Sequence, residues 1–152
     1  MSQEITISKE DYLKAIIEAE SEGHTVIPAL LAQWLEVSAP AVTKAVKRLR
    51  GDGFIDANRH GALKLTTKGR EAAHHTALRH HLVERMLSEM FGMEWHQIHA
   101  EAERLEHFIS ERFEARIAAK LGHPDHDPHG ACIPALDGTM PPGHRVSCKC
   151  PE

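Results

Sequence analysis

The order of helices and turns in the first seventy residues constrains the fold more than any other feature of this chain. Ser8 followed by Asp11 resembles a capping box that opens a helix, and Ser38 before Pro40 is typical of a helix N-terminus. Gly51 ends that helix, and two short strands separated by a glycine-containing turn follow it. The pattern predicts helices at 8–22, 28–36 and 39–51, then strands at 54–57 and 63–66. This order is typical of a winged helix-turn-helix.

Charge is distributed unevenly along the chain. The net charge is −4, yet residues 38–70 carry eight basic and two acidic side chains. In a winged helix-turn-helix the third helix enters the major groove, where small residues let the backbone approach and lysines bind phosphates. We therefore expect double-stranded DNA as a partner, contacted by Ser38, Ala39, Pro40, Thr43, Lys44, Lys47 and Arg59. For Lys47, a solvated helix face explains the charge equally well.

The second half of the chain is predicted to be helical and to end in an irregular segment. Helices are expected from Thr66 or Thr67 to Phe91, at 94–108 and at 110–121, before a segment rich in Pro, His and Gly. The fold class is therefore mostly α. The expected parts are a DNA-binding domain at 1–70, a helical metal-binding and dimerisation domain at 71–140, and a flexible tail at 141–152.

Metal-competent side chains concentrate in this second half, which carries eleven of the thirteen histidines. At 100° per residue, His99, Glu103, Glu106 and His107 would share one helix face beside an apolar stripe. Two carboxylates and two imidazoles brought together repel one another or lose hydration unless a cation joins them. The pattern therefore indicates a divalent metal site. The alternative is an exposed face stabilised by charge pairs along the helix.

A second candidate site lies on the long helix. His80 and Glu84 are four residues apart, so they could share one ion. The other histidines nearby are expected on the solvated surface: His74, His75, His81 and His96.

Six short segments, in a fixed order between residues 5 and 138, carry a family resemblance. They are Asp11-Tyr12-Leu13, Leu35 to Val42, Leu65 to Gly69, Arg79 to Arg85, His99 to His107, and Asp127 to Gly130 with Ile133-Pro134. Together they resemble the diphtheria toxin repressor family of metal-dependent transcriptional regulators. The resemblance implies a homodimer that binds palindromic operator DNA.

The resemblance also implies two sets of metal ligands. The effector-site set is Asp11, Glu103, Glu106 and His107. The second set is His80, Glu84 and His99, completed in some family members by the segment of Asp127 and His129. Because the iron-type branch presents sulfur where this chain has Asp11 and Glu103, the resemblance favours the manganese-type branch. Mn(II) is then the expected cofactor, with Fe(II) tolerated and Co, Zn or Cd bound in vitro.

Lys14 departs from the manganese-type pattern, which has a glutamate three residues after the aspartate. A lysine ammonium would repel a second cation beside Asp11. We therefore expect two mononuclear sites, separated by well over the ~4 Å of bridged metal pairs.

The sequence is interpreted as a Mn(II)-responsive repressor that controls metal uptake. Metal binding would link the first helix to the helix of Glu103 and so set the spacing of the two DNA-binding domains in a dimer. The expected dimer contact consists of large apolar side chains, namely Met86, Leu87, Met90, Phe91 and Trp95.

Three other classes of protein compete with this interpretation. One is a winged-helix regulator that senses a small organic molecule, and another is an Fe(II)-responsive regulator of the same family. A di-iron enzyme would need Glu-x-x-His on each of two helices, which only the segment Glu103 to His107 approaches, so no enzyme is expected. No leader or long apolar run is seen, and three cysteines lie in the last 21 residues. A cytoplasmic location with no membrane partner is therefore expected.

Overall fold

A computed structural model describes residues 9–125 and Ile133 of this chain. The chain divides into two compact units, residues 1–74 and 75–152, and the division falls inside one long helix. Each unit has its own hydrophobic core. The architecture is mostly helical, with an N-terminal winged helix-turn-helix followed by a helical unit, as expected. The domain limits at residues 70 and 140 stay predictions.

Three helices build most of the first unit: α1 (Lys9–Ser21), α2 (Pro28–Trp34) and α3 (Ala39–Gly51). Their limits agree within two residues with those expected from the sequence. Between α2 and α3 the chain reverses through Glu36, which adopts a left-handed φ of 52°. The Ser38 hydroxyl then accepts a hydrogen bond from the Ala41 amide at 3.3 Å, which confirms Ser38 as the N-cap of α3.

A two-stranded antiparallel hairpin follows α3. Strands β1 (Ile55–Ala57) and β2 (Leu63–Leu65) pair with Ile55 opposite Leu65. At the tip, the Asn58 carboxamide accepts hydrogen bonds from the amides of His60 and Ala62 at 2.8 and 3.0 Å. This turn presents the exposed Arg59 at the end of the wing.

Helix α4 (Thr67–Glu89) begins in close contact with the hairpin. The Thr66 hydroxyl accepts a hydrogen bond from the Gly69 amide at 3.1 Å and donates one to the Gly53 carbonyl at 2.7 Å. A Cβ atom at Gly69 would lie only 1.9 Å from the carbonyl oxygen of Phe54. The first turn of α4 can therefore approach the hairpin only because residue 69 has no side chain.

The core of the first unit combines one face of α1 with inward residues of the other helices and of the hairpin. Its buried members are Tyr12, Leu13, Ala15, Ile16, Ala19, Val26, Leu31, Val42, Leu49, Ile55, Leu63, Leu65 and Ala73. The core leaves the lysine-bearing side of α3 exposed.

The second unit contains the rest of α4, α5 (Trp95–Leu105), a 3₁₀ turn (Glu106–Phe108) and α6 (Glu111–Lys120). Buried Glu114 joins α6 to α4, since its carboxylate lies 2.5 Å from Arg79 and 3.1 Å from His75. The apolar core consists of Leu78, Leu82, Val83, Met86, Leu87, Ile98, Ala102, Ile109, Ile117, Ala118 and Ile133.

The prediction of a single α-helix at 94–108 is wrong for the last turn of that helix. Helix α5 ends at Leu105, and residues 106–108 form a 3₁₀ turn before extended, buried Ile109. The Ser110 hydroxyl then caps α6 by accepting a hydrogen bond from the Phe113 amide. The tighter turn rotates each residue by about 120° instead of 100°, so positions 99, 103, 106 and 107 do not follow one regular helix face.

The expected dimer contact is only partly exposed. Met86 and Leu87 belong to the core of the second unit, so their assignment to a surface is wrong. Met90, Phe91 and Trp95 are exposed, the last two by about two thirds (67% and 66%). In the part of the chain that the structure describes, no helix has the length and apolar character needed to cross a membrane.

Candidate metal centre and nucleic-acid interface

Three side chains of the second unit bring ligand atoms together in a small triangle. His80 and Glu84 lie one turn apart on α4, and His99 reaches them from α5. His80 Nε2 lies 3.0 Å from Glu84 Oε1, and His99 Nδ1 lies 3.1 Å from each of these atoms. The three residues of the second ligand set are therefore in mutual contact.

The contacts within this triangle stabilise the ionised form of Glu84 and the protonated form of His99. Burial alone would raise the pKa of Glu84, but hydrogen bonds from His80, His81 and His99 hold it well below its usual range. Hydrogen bonds to Glu103 and to Glu84 raise the pKa of His99 to about 10. In the metal-free chain an imidazolium therefore supplies positive charge to the buried carboxylate.

The triangle has the dimensions of a metal site. Ligands at ~2.1 Å from an octahedral ion lie ~3.0 Å from one another, and Zn–N bonds have the same length. The observed separations of 3.0 and 3.1 Å match this spacing. Two imidazoles and one carboxylate are also donors that divalent transition ions accept. The residues present therefore fit a divalent cation.

His80 connects this triangle to the effector-site set. Its Nδ1 lies 2.5 Å from Glu106 Oε2, while its Nε2 faces Glu84. Glu106 is fully buried, and its other oxygen lies 3.5 Å from Nε2 of His107. Carboxylates and imidazoles thus alternate without interruption from Glu84 to His107.

Glu103 and Glu106 have different surroundings. Its side chain is 51% exposed, and its Oε1 lies 3.4 Å from His99 Nε2. Glu106, in contrast, is buried against His80 in the 3₁₀ turn. The structure therefore places Glu103 beside the second ligand set, although the sequence assigned it to the effector site.

The structure describes only one of the remaining expected ligands, which are Asp11, Asp127 and His129. Asp11 lies in the first turn of α1, in the first unit, and is partly buried. Asp127 and His129 lie outside the described residues. Lys14, the residue that departs from the manganese-type pattern, is buried on α1. The assignment of ligands to either site stays a prediction.

The sequence analysis missed His81. It was expected on the solvated surface, but its side chain is only 18% exposed and its Nδ1 lies 3.7 Å from Glu84 Oε2. The sequence contains the signal, because His81 and Glu84 are three residues apart on one helix and such residues are neighbours.

The residues expected to contact DNA lie on the N-terminal half of α3 and at the tip of the wing. Lys44 and Lys47 are exposed on α3, as Arg59 is at the wing tip. The Thr43 hydroxyl donates to the Ala39 carbonyl at 3.1 Å, which leaves its oxygen lone pairs to accept. The Ser38 hydroxyl accepts from the helix and keeps its own proton to donate.

Two family models match the chain over nearly all of the described residues. Residues 4–63 match the N-terminal DNA-binding domain of iron-dependent repressors. Residues 66–135 match the metal-binding and dimerisation domain of the same repressors. A winged helix-turn-helix followed by a helical metal-binding and dimerisation unit defines a metal-dependent transcriptional regulator.

Individual relatives agree with this class. The iron-dependent repressor IdeR of Mycobacterium leprae is 43% identical over 129 residues, which are 84% of this chain and 55% of that protein. A manganese-dependent transcriptional repressor in complex with manganese superposes with a TM-score of 0.83 at 42% identity, over 88% of this chain and 62% of that one. The manganese regulator SloR gives a TM-score of 0.79 at 34% identity, over 88% and 61%.

The chain belongs to the diphtheria toxin repressor family of metal-dependent repressors. It spans 55 to 60% of the length of the curated relatives it matches. The family assignment confirms the resemblance carried by the six sequence segments.

Proposed function

We propose that this chain is a Mn(II)-responsive repressor that binds palindromic operator DNA as a homodimer in the cytoplasm and controls metal uptake. The observation that carries the proposal is the alternation of buried carboxylates and imidazoles from Glu84 to His107. Burying Glu84 and Glu106 is expensive unless positive charge reaches them. A divalent cation supplies such charge, so metal binding and the order of this region are linked.

The effector site is proposed to use Asp11, Glu103, Glu106 and His107. Three carboxylates and one imidazole form a hard donor set, and such a set favours Mn(II) over softer ions. The parts of Asp11 and of Glu103 rest on the family resemblance, since the structure places Glu103 next to His99. Since Asp11 belongs to α1, metal binding at this site would affect the DNA-binding unit and so couple the metal to the operator.

The second site is proposed to use His80, Glu84 and His99, closed by Asp127 or His129. A mononuclear ion there fits the contacts of His80, because metal-binding histidines commonly donate their other ring N–H to a carboxylate. Glu106 Oε2 lies 2.5 Å from His80 Nδ1, the ring nitrogen that does not face Glu84. The operator contacts are proposed to be Ser38, Ala39, Pro40, Thr43, Lys44, Lys47 and Arg59.

Fe(II) is the second candidate metal. It is favoured by the 43% identity to an iron-dependent repressor, whereas the manganese-dependent neighbour at 42% favours Mn(II). Fe(II) and Mn(II) are neighbours in the affinity series and accept similar ligands. The choice between them depends on relative affinity measured under the same conditions.

Equilibrium dialysis of the whole chain at saturating Mn(II) tests the proposal. We expect two equivalents bound, and the loss of one equivalent in His107→Ala and of one in His80→Ala. The exposed His96 provides a matched control, and His96→Ala should bind as the wild type does. Wild-type binding by both ligand variants, or no Mn(II) bound by the wild type, would reject the metal sites and favour an organic effector.

A further inference from the structure

One side chain closes the turn at the tip of the wing, between β1 and β2. The carboxamide oxygen of Asn58 accepts hydrogen bonds from the amides of His60 and Ala62 at 2.8 and 3.0 Å. The Asn58 backbone adds two more, since its N–H donates to the Ala62 carbonyl at 2.9 Å and its carbonyl accepts from the Gly61 amide at 3.1 Å. Four hydrogen bonds of Asn58, the chain's only asparagine, therefore fix this turn.

These bonds match a three-residue hairpin loop, in which a tight turn ends in a residue with left-handed backbone conformation. Gly61 takes that place with a φ of 78°, and nothing lies within 4 Å of a Cβ atom added there. The glycine is therefore required by the backbone conformation and not by a lack of space. Arg59 and His60 are the two central residues of the turn, and both are exposed.

The position of Arg59 is set by the backbone of this turn. Within residues 9–125, its guanidinium has no hydrogen bond or ion pair that would hold it. A long side chain loses conformational freedom when it binds a phosphate, and a flexible turn beneath it would lose more. Because Asn58 holds the turn before DNA binds, only the side chain of Arg59 has to become ordered on binding.

We propose that Asn58 is a positioning residue for DNA binding, which closes the turn and so holds Arg59 where the wing meets a phosphate. The proposal rests on the operator contacts proposed above, among which Arg59 is the contact from the wing. The carboxamide oxygen of Asn58 is directed to two amides of the turn, so it acts through Arg59 and not on DNA. Without this acceptor the two amides would bond to water and the turn would sample other conformations.

Titration of the whole chain with a long mixed-sequence DNA duplex, at saturating Mn(II), tests the proposal. Such a duplex suffices because phosphate contacts do not depend on base sequence. Asn58→Ala should weaken binding by roughly threefold to tenfold. The number of phosphate contacts, which the salt dependence of the affinity measures, should fall by up to about one. Gln97→Ala removes an exposed carboxamide of α5 and should bind as the wild type does.

A double-mutant cycle separates positioning from a general loss of structure. Asn58→Ala combined with Arg59→Ala should bind no more weakly than Arg59→Ala alone, because the turn acts through that side chain. Combined with Lys44→Ala on α3, the two losses should add. Asn58→Ser keeps a shorter oxygen acceptor and should recover part of the affinity that Asn58→Ala loses.

The outcomes distinguish this proposal from the DNA interface on which it rests. If Arg59→Ala and Lys44→Ala weaken binding, two results would overturn the positioning role. One is wild-type affinity in Asn58→Ala, and the other is an equal loss from Asn58→Ala with and without Arg59. Wild-type affinity in both Arg59→Ala and Lys44→Ala would instead reject the proposed DNA interface itself.

Discussion

At the scale of single residues, His80 is the side chain on which the two ligand sets meet. Its Nε2 faces Glu84 and His99, and its Nδ1 lies 2.5 Å from Glu106. One imidazole can therefore serve as a ligand on one side and hold a carboxylate of the other set in place. The proposed sites are separate although they share this contact, so a change at His80 should remove the metal of the second site while the effector site keeps its own.

His99 gives a pH dependence to the stability of the metal-free chain. Hydrogen bonds to Glu103 and Glu84 raise its pKa from 6.5 to about 10 on folding. The resulting stabilisation is fully present below about pH 6.5 and is lost as the pH rises through 10. Because the side chain is 62% exposed, solvent weakens the effect.

Urea unfolding at pH 7 and pH 9.5, with a chelator present, measures this contribution. The midpoint of the wild type should fall more between the two pH values than that of His99→Gln. His96→Gln, which changes an exposed imidazole on the same helix, should retain the wild-type difference. An equal fall in the wild type and in His99→Gln would show that His99 carries no such charge.

At the scale of secondary structure, the junction between the wing and α4 depends on a missing side chain. In Gly69→Ala the new Cβ would meet the Phe54 carbonyl at 1.9 Å, so the helix or the strand must shift. We expect the free energy of unfolding to fall by ~1–3 kcal/mol. Thermal or urea unfolding measures the loss.

Gly51→Ala is the matched control for this change. Gly51 is the last residue of α3, and nothing lies within 4 Å of an added Cβ. Alanine there should leave stability unchanged or raise it by ~0.5–1 kcal/mol, since it reduces the entropy of the unfolded chain. Equal stability of the two variants would contradict the close approach of α4 to the hairpin.

The sequence predicts the elements well where local signals are strong. Ser38 and Thr66 cap their helices as expected, because short hydroxyl side chains compete for free helix amides. The sequence does not show where α5 changes to a 3₁₀ turn, since Ile109 and Ser110 impose that change through tertiary packing and the start of α6. An ideal helical wheel therefore groups Glu103 with Glu106, and the structure separates them.

Contacts between helices cannot be predicted from sequence periodicity either. The pair His80 and Glu84 follows from a spacing of four residues, but the contact of His80 with Glu106 joins residues 26 positions apart. Met86 and Leu87 illustrate the same limit, because composition alone cannot distinguish a core residue from one at a dimer interface. The family resemblance, which rests on ordered segments, supplied ligand assignments that spacing could not, and these assignments stay predictions.

At the scale of the whole molecule, the first part of the chain matches the DNA-binding domain of iron-dependent repressors, and the second part matches their metal-binding and dimerisation domain. If metal binding drives operator binding, substitutions in the first unit and in the second unit should change DNA affinity in different ways. Lys44→Ala removes an exposed charge of α3 and should weaken DNA binding with and without metal. His107→Ala should remove only the increment that metal provides.

The most direct test of this account is a mobility shift with operator DNA at fixed salt, comparing saturating Mn(II) with a chelator. Fixed salt matters because phosphate contacts make DNA affinity depend on ionic strength. The account predicts that Mn(II) raises the affinity of the wild type by roughly tenfold or more, within the usual ~1–3 kcal/mol of allosteric coupling. Equal affinity of the wild type in Mn(II) and in chelator would contradict it.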